Sequence, residues 1–178
     1  MSKVLTGEQS ATKNFQSDPN CPSCSSQFIK RVRRTAVYQR LVSLFYIYPF
    51  SCQLCGHTFS LFQPGVRYVR IDEDHREHQR LRVDLPIALA QDQMNCNGSA
   101  IEISMRGCTV ETHEPLAIAS IVKVGLRIPN EKNILTVEAA IVRNSSHDRL
   151  GLEFLRFQGD ERQRLRQFVQ SLLSLQYR

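Results

Sequence analysis

The chain lacks any apolar run long enough to span a membrane. Its opening stretch, MSKVLTGEQSATKNFQSDPN, also lacks the hydrophobic core of a secretory signal. A cytosolic location, where thiols stay reduced, is therefore the default expectation. Internal repeats and low-complexity tracts are missing as well. No nucleophile–base pair or carboxylate dyad has convincing spacing, and His75, His78, His113 and His147 are scattered as surface residues would be. These gaps point away from an enzyme. Acid is scarce in one region: residues 1–70 carry nine Lys/Arg against Glu8 and Asp18, a formal +7. Residues 71–178 carry fourteen Lys/Arg against fifteen Asp/Glu, a formal −1. That asymmetry suggests two modules with different partners, and we expect each module to have its own core.

What is present is an ordinary globular composition, 42% apolar and 22% charged over 178 residues. Residues 1–20 are polar and without apolar periodicity, so a disordered tail is expected. Residues 21–66 form a cysteine-bearing module. Residues 67–80 mix a Pro-Gly turn signal just upstream with dense charge, as a linker or arm would. Residues 81–178 carry the larger unit.

CPSC at 21–24 and CQLCG at 52–56 are two Cys-x-x-Cys pairs. Each pair can present two thiolates from one tight turn, and two such turns make a tetrahedral site. Cys21, Cys24, Cys52 and Cys55 are thus expected to hold a structural zinc ion, with rubredoxin-like iron or a redox disulfide as the alternatives. A metal also answers a size problem, since so short a segment could barely hold a core without one. Four thiolates on Zn²⁺ would add a local −2 and weaken the positive field of this module. Gly56 suits a left-handed turn residue after the second pair. Cys96 and Cys108 stand apart and read as small apolar residues.

Between the pairs, VYQRLVSLF has helical spacing and YIYPF reads as a strand. Lys30, Arg31, Arg33, Arg34 and Arg40 lie beside Phe45, Tyr46 and Tyr48. We expect a solvated basic hairpin packed by its own aromatics. Nucleic acid or an anionic membrane surface is the alternative partner, although no spacing fixes a base-reading element.

From Leu81 the pattern changes to period two. Leu81, Val83, Leu85, Ile87 and Leu89 alternate with polar or small residues, and Pro86 on the outward set suggests an edge strand. Ile101 and Ile103 form an inward pair. Val122, Val124, Leu126 and Ile128, then Leu135, Val137, Ala139 and Ile141, then Leu150, Leu152 and Phe154 make further runs. PNEKN and NSSHD between them are turn chemistry. Short strands at this spacing predict an antiparallel barrel. Leu165, Phe168, Val169, Leu172 and Leu173 mark one face of a C-terminal helix, with Asp160 as its N-cap and Gln163 in capping-box position. That helix should pack on the barrel or plug one end, with a helix-mediated dimer as the alternative.

REHQR at 76–80 gives an R-x-x-x-R pattern, and EISMRG at 102–107 is close to [DN]-x-S-x-x-G. In this order, followed by GLEF at 151–154 and a helix, they resemble the PilZ family over roughly residues 74–175. The double-CxxC segment with its YPFSCQLCG ending is similar to zinc ribbons found ahead of some bacterial PilZ domains. The resemblance implies a mainly β fold: a six-stranded antiparallel barrel with a C-terminal α-helix, preceded by a small zinc ribbon. It also implies a bacterial, non-enzymatic receptor for cyclic di-GMP that passes its signal to a downstream protein, here by reorienting the ribbon.

Arginine suits that ligand, because it pairs bidentately with both phosphate and guanine O6/N7. Arg76 and Arg80 match the family's arginines. Glu102 and Ser104 would share the outer strand face, the carboxylate accepting from guanine N1–H and N2–H₂. Gly107 would allow a turn and close ligand approach. Glu102 departs from the family's usual Asp or Asn by one methylene, and the acidic run Asp72, Glu73, Asp74 lies near the site. Arg82 and Arg106 are extra cations to which the resemblance assigns no role. A barrel that has lost its ligand and serves as a protein-interaction module is the alternative. A nucleic-acid-binding ribbon regulated by the barrel is another.

Overall fold

The computed structural model describes residues 19–33, 37–65, 78–91, 94–114 and 116–176. Most of the expected tail and residues 67–77 of the expected arm lie outside the described residues, and with them Arg76, His75 and the acidic run at 72–74.

The cysteine module is a three-stranded antiparallel sheet of β1 (Ile29–Arg31), β2 (Ile47–Cys52) and β3 (Thr58–Phe62), with β2 in the middle. Its helical stretch is α1 (Val37–Val42), continued by a 3-10 turn over Ser43–Phe45. Tyr46, in the left-handed region at φ 60°, ends that turn by donating its N–H to the Ser43 carbonyl. Tyr48 and Phe50 are buried, Phe50 stacks on Phe59, and the Arg31 guanidinium lies 4.4 Å from the Tyr48 ring centre. The hairpin is therefore packed by its own aromatics on one side only. Tyr38, Phe45 and Phe62 stay exposed.

The larger unit is a closed antiparallel barrel. Its strands are β4 (Leu81–Gln91), β5 (Met94–Ser104), β6 (Gly107–Glu111), β7 (Ile121–Leu126), β8 (Leu135–Ser146) and β9 (Arg149–Phe157), in the order β4-β5-β6-β9-β8-β7. Strand β6 escaped the periodicity because only Cys108 and Val110 mark its inner face.

Period two predicts the core wherever the ladder is regular. Leu81, Leu85, Ile87 and Leu89 are buried, as are Val122, Val124 and Leu126. It fails at two bulges. In β5 the register slips between Ala100 and Glu102, so Ala100 and Ile103 point inward and Ile101 is only half-buried. In β8 a slip near Val137 moves the inward set from Ala139 and Ile141 to Ala140 and Val142.

The expected edge position of Pro86 is also corrected, since β4 pairs with β5 on one side and β7 on the other. Pro86 is tolerated because its carbonyl accepts from Arg127, one residue beyond the end of β7. N–H and C=O of one strand residue point the same way, so the missing donor faces a neighbour strand that has already ended.

The C-terminal helix, α2 (Glu161–Gln176), packs against β8 and β4 through Leu165, Val169 and Leu173. Burying each such side chain stabilises by about 1.5–3 kcal/mol. The Asp160 carbonyl accepts from Gln163 and Arg164, which starts the helix where its N-cap was expected. Arg164 pairs with Glu161 and Glu131, while Glu161 accepts the Thr136 N–H, so the helix start is fastened to the entrance of β8.

The two modules do not have the separate cores expected of them. One buried cluster includes Cys21, Phe28, Cys52 and Leu54 together with the barrel's interior.

Candidate functional site

The two cysteine turns are built alike. Ser25 N–H bonds the Cys21 carbonyl and Gly56 N–H bonds the Cys52 carbonyl, and both Ser25 and Gly56 adopt positive φ, 56° and 74°. Each turn thereby aims its two thiols at the same point. The four Sγ atoms lie within 4.8 Å of one another, with Cys21–Cys55 and Cys24–Cys52 each at 3.6 Å. A tetrahedral ion with metal–sulfur bonds of about 2.3 Å needs sulfurs ~3.8 Å apart, so these residues fit one. All four are free thiols.

Burial pushes the Cys24 thiol up to about 12. It pushes Cys55 up too, but the His57 N–H and hydrogen bonds from the other cysteines outweigh it and hold that thiol at about 7.

A second site lies on the barrel. The β5 bulge turns Glu102 outward, opposite Thr109 of β6. Thr109 Oγ1 donates to Glu102 Oε2 at 3.1 Å. Arg80, immediately before β4, reaches both, at 2.9 Å from Thr109 Oγ1 and 3.4 Å from Glu102 Oε2. The longer carboxylate thus ties the arginine to the barrel wall, in a half-exposed pair worth at most about 1 kcal/mol.

Arg80 and Thr109 line a cleft of about 620 Å³, a size suited to a small ligand. Arg106, Arg143 and Arg149 also line it, against a single lining carboxylate, Glu153. Glu153 accepts from Arg143 at 2.6 Å. The cleft is therefore lined by four guanidinium groups against one lining carboxylate, a basic surface suited to an anion.

A comparison with protein families matches the PilZ domain over residues 74–171. The chain belongs to the PilZ domain family. Two solved structures are similar to it in part. The PilZ domain of CeSA from a cellulose-synthesizing bacterium is 16% identical, with 53% of this chain and 98% of that chain covered and a TM-score of 0.44. The Bacillus subtilis inhibitor of motility (MotI/DgrA) is 17% identical, with 74% and 70% covered and a TM-score of 0.49. No curated protein matches the sequence significantly.

Of the residues implied by the PilZ resemblance, Arg80, Ser104 and Gly107 line the cleft, and Glu102 reaches it through its bonds to Arg80 and Thr109. Arg76 lies outside the described residues. The Ser104 hydroxyl donates to the Gly107 carbonyl and accepts the Arg106 N–H, so it closes the β5–β6 turn. A Cβ on Gly107 would run into the Leu152 carbonyl of β9. The close approach this glycine permits is therefore that of a neighbouring strand.

Thr109, Arg143 and Arg149 were missed. The two arginines flank the β8–β9 turn at residues 147–148, ahead of GLEF, and that placement is the signal that could have found them. Arg106, noted only as an extra cation, is part of the same wall.

His78 overturns its expected surface position. It is buried at 8% exposure, lines the PilZ cleft, and packs against the second cysteine turn, with Nε2 3.6 Å from where a Gly56 Cβ would stand. Beside it, Gln79 N–H donates to Oε1 of the buried Gln53 at 2.6 Å. His113 and His147 are exposed, as expected. Cys96 and Cys108 are buried apolar residues, and burial pushes the Cys108 thiol up to about 12 although Arg80 pulls it down.

Proposed function

We propose that this PilZ protein is a non-enzymatic bacterial receptor for cyclic di-GMP, acting in the cytoplasm, whose four cysteines hold structural zinc. The carrying observation is the cleft, where four arginines converge around Thr109 and the Ser104 turn. A ligand with two phosphates and two guanines asks for that composition, since guanidinium groups bind both. Arg80 and, from the arm, Arg76 grip phosphate and guanine edges. Glu102 accepts from guanine N1–H and N2–H₂ once Arg80 turns to the ligand. Thiolate softness favours zinc over harder ions at the metal site, and the ion's contribution there is to hold the two cysteine turns together.

The signal passes through residues 67–80. Ligand orders that arm and so fixes the ribbon against the barrel, where a downstream protein reads the change. The Gln79–Gln53 hydrogen bond, and the room beside Gly56 that His78 borders, support this route, because the residues just before Arg80 already lie at a cysteine turn. Hydrogen exchange over 67–80 should slow when ligand binds. Identical exchange with and without bound ligand would leave the receptor and remove the relay.

A second reading has its own observation. Arg80 already has intramolecular partners in Glu102 and Thr109, which suits a barrel that has lost its ligand and docks on a protein instead. Equilibrium dialysis with labelled cyclic di-GMP separates the two. Saturable retention supports the receptor, and no retention at any ligand concentration leaves the interaction module.

A further inference from the structure

The ribbon carries its apolar stripe on the outside. Val37, Tyr38, Leu41, Leu44 and Phe45 follow helical spacing through α1 and the 3-10 turn, and neither element has a buried residue. Phe62 joins them: it ends β3 opposite Ile47, and Gln63 N–H bonds the carbonyl of Tyr46, the residue after Phe45. All six side chains are between 59% and 74% exposed. In the same segment Gln39 and Ser43 are half-buried while these apolar side chains are out. A six-residue helix has no stability of its own to justify such an inversion. A contiguous apolar patch of this kind marks an interaction surface.

Charge chooses the occupant. From Pro19 to Gly65 the chain contains Lys30, Arg31, Arg33, Arg34 and Arg40 and not one Asp or Glu. Arg40 stands on α1 itself and is exposed. Four thiolates on a divalent ion would subtract two, and the module would still be cationic. A second copy of this face would bring like charge against like charge. Tyr38, Phe45 and Phe62 offer rings, but Val37, Leu41 and Leu44, half of the patch, are aliphatic side chains with no use in base stacking. Exposed Leu, Val and aromatic side chains beside lysine and arginine are instead what an anionic bilayer surface takes up, the apolar groups entering the acyl boundary and the cations meeting phosphate.

We propose that α1 and the adjoining turn dock this protein on anionic membrane surfaces. The face lies on the ribbon, apart from the barrel cleft, so the docking does not depend on any nucleotide.

Co-sedimentation of the full chain with vesicles tests it. One set is phosphatidylglycerol mixed with phosphatidylcholine, the other phosphatidylcholine alone. The protein should pellet with the anionic vesicles, less at high salt, and remain in the supernatant with the neutral ones. The double variant Leu44→Glu, Phe45→Glu should lose at least about tenfold in partitioning, because it removes two apolar groups and adds like charge to the lipid. Both positions are exposed, so its metal content and melting temperature should match the parent protein. No pelleting with anionic vesicles, equal pelleting with both sets, or unchanged pelleting of a folded variant would overturn the proposal. So would a patch that instead binds duplex DNA or an acidic peptide and ignores vesicles.

Discussion

Glu102 stands where the family's shorter acceptor is expected, and its extra methylene has a visible use. It lets the carboxylate reach both Thr109 and Arg80. A ligand must therefore draw Arg80 away from an internal partner before Glu102 can face guanine. Glu102→Asp shortens that tether and also needs less rotamer ordering, so cyclic di-GMP should bind tighter by roughly 0.5–1.5 kcal/mol, the net worth of one hydrogen bond. Glu102→Ala frees Arg80 as well but leaves guanine donors facing no acceptor, so binding should weaken. Affinity measured for both variants separates the roles. If Ala tightens binding as much as Asp does, Glu102 is only a tether. Glu102, Arg80 and Gly107 could be singled out from the sequence because each falls in a spaced motif, and the structure brings them to one cleft. Arg143 and Arg149 left only their place on either side of the turn ahead of GLEF as a sign, because their meeting with Arg80 depends on strand pairing that sets β9 beside β6.

At the scale of elements, alternation located five of the six barrel strands, and the helix period located α2. The bulges in β5 and β8 were beyond it, since an extra residue in a ladder leaves no mark on local hydrophobicity. The β5 bulge matters to the site, because it lets Ala100 and Ile103 both face inward while Glu102 faces out. Gly107 shows how tightly β6 must approach β9. Gly107→Ala should destabilise the barrel by about 1–3 kcal/mol, as overpacking does, because the new methyl meets the Leu152 carbonyl and cannot be absorbed by a flexible side chain. Denaturant melts check this. A variant as stable as the parent would mean that β6 and β9 are not held so closely. The same close pairing carries Thr109 to the cleft wall, so ligand affinity should fall with stability.

Across the whole molecule, the charge asymmetry suggested two modules with different partners, and separate cores were expected where one buried cluster crosses the junction. Beside that cluster Gln53 and His78 are buried polar residues, and burial of polar residues has no periodic signature. Cys52→Ser should abolish metal binding, speed hydrogen exchange in β1, β2 and β3, and also loosen Gln79, whose N–H rests on Gln53. The barrel should stay folded, since its closed ladder does not include the ribbon strands. Metal analysis giving zinc near one per chain in the parent, and none in the variant, is the expected result. Undiminished metal in the variant would remove the four-cysteine site. The receptor function itself is tested most directly by calorimetric titration of cyclic di-GMP into the parent protein and into Arg80→Ala, side by side. The parent should give saturable heat, and the variant should bind about 1.5–3 kcal/mol more weakly with its fold intact, the worth of a hydrogen bond to a charged partner. No heat from a folded, metal-loaded parent, or equal affinity in the two proteins, would contradict it.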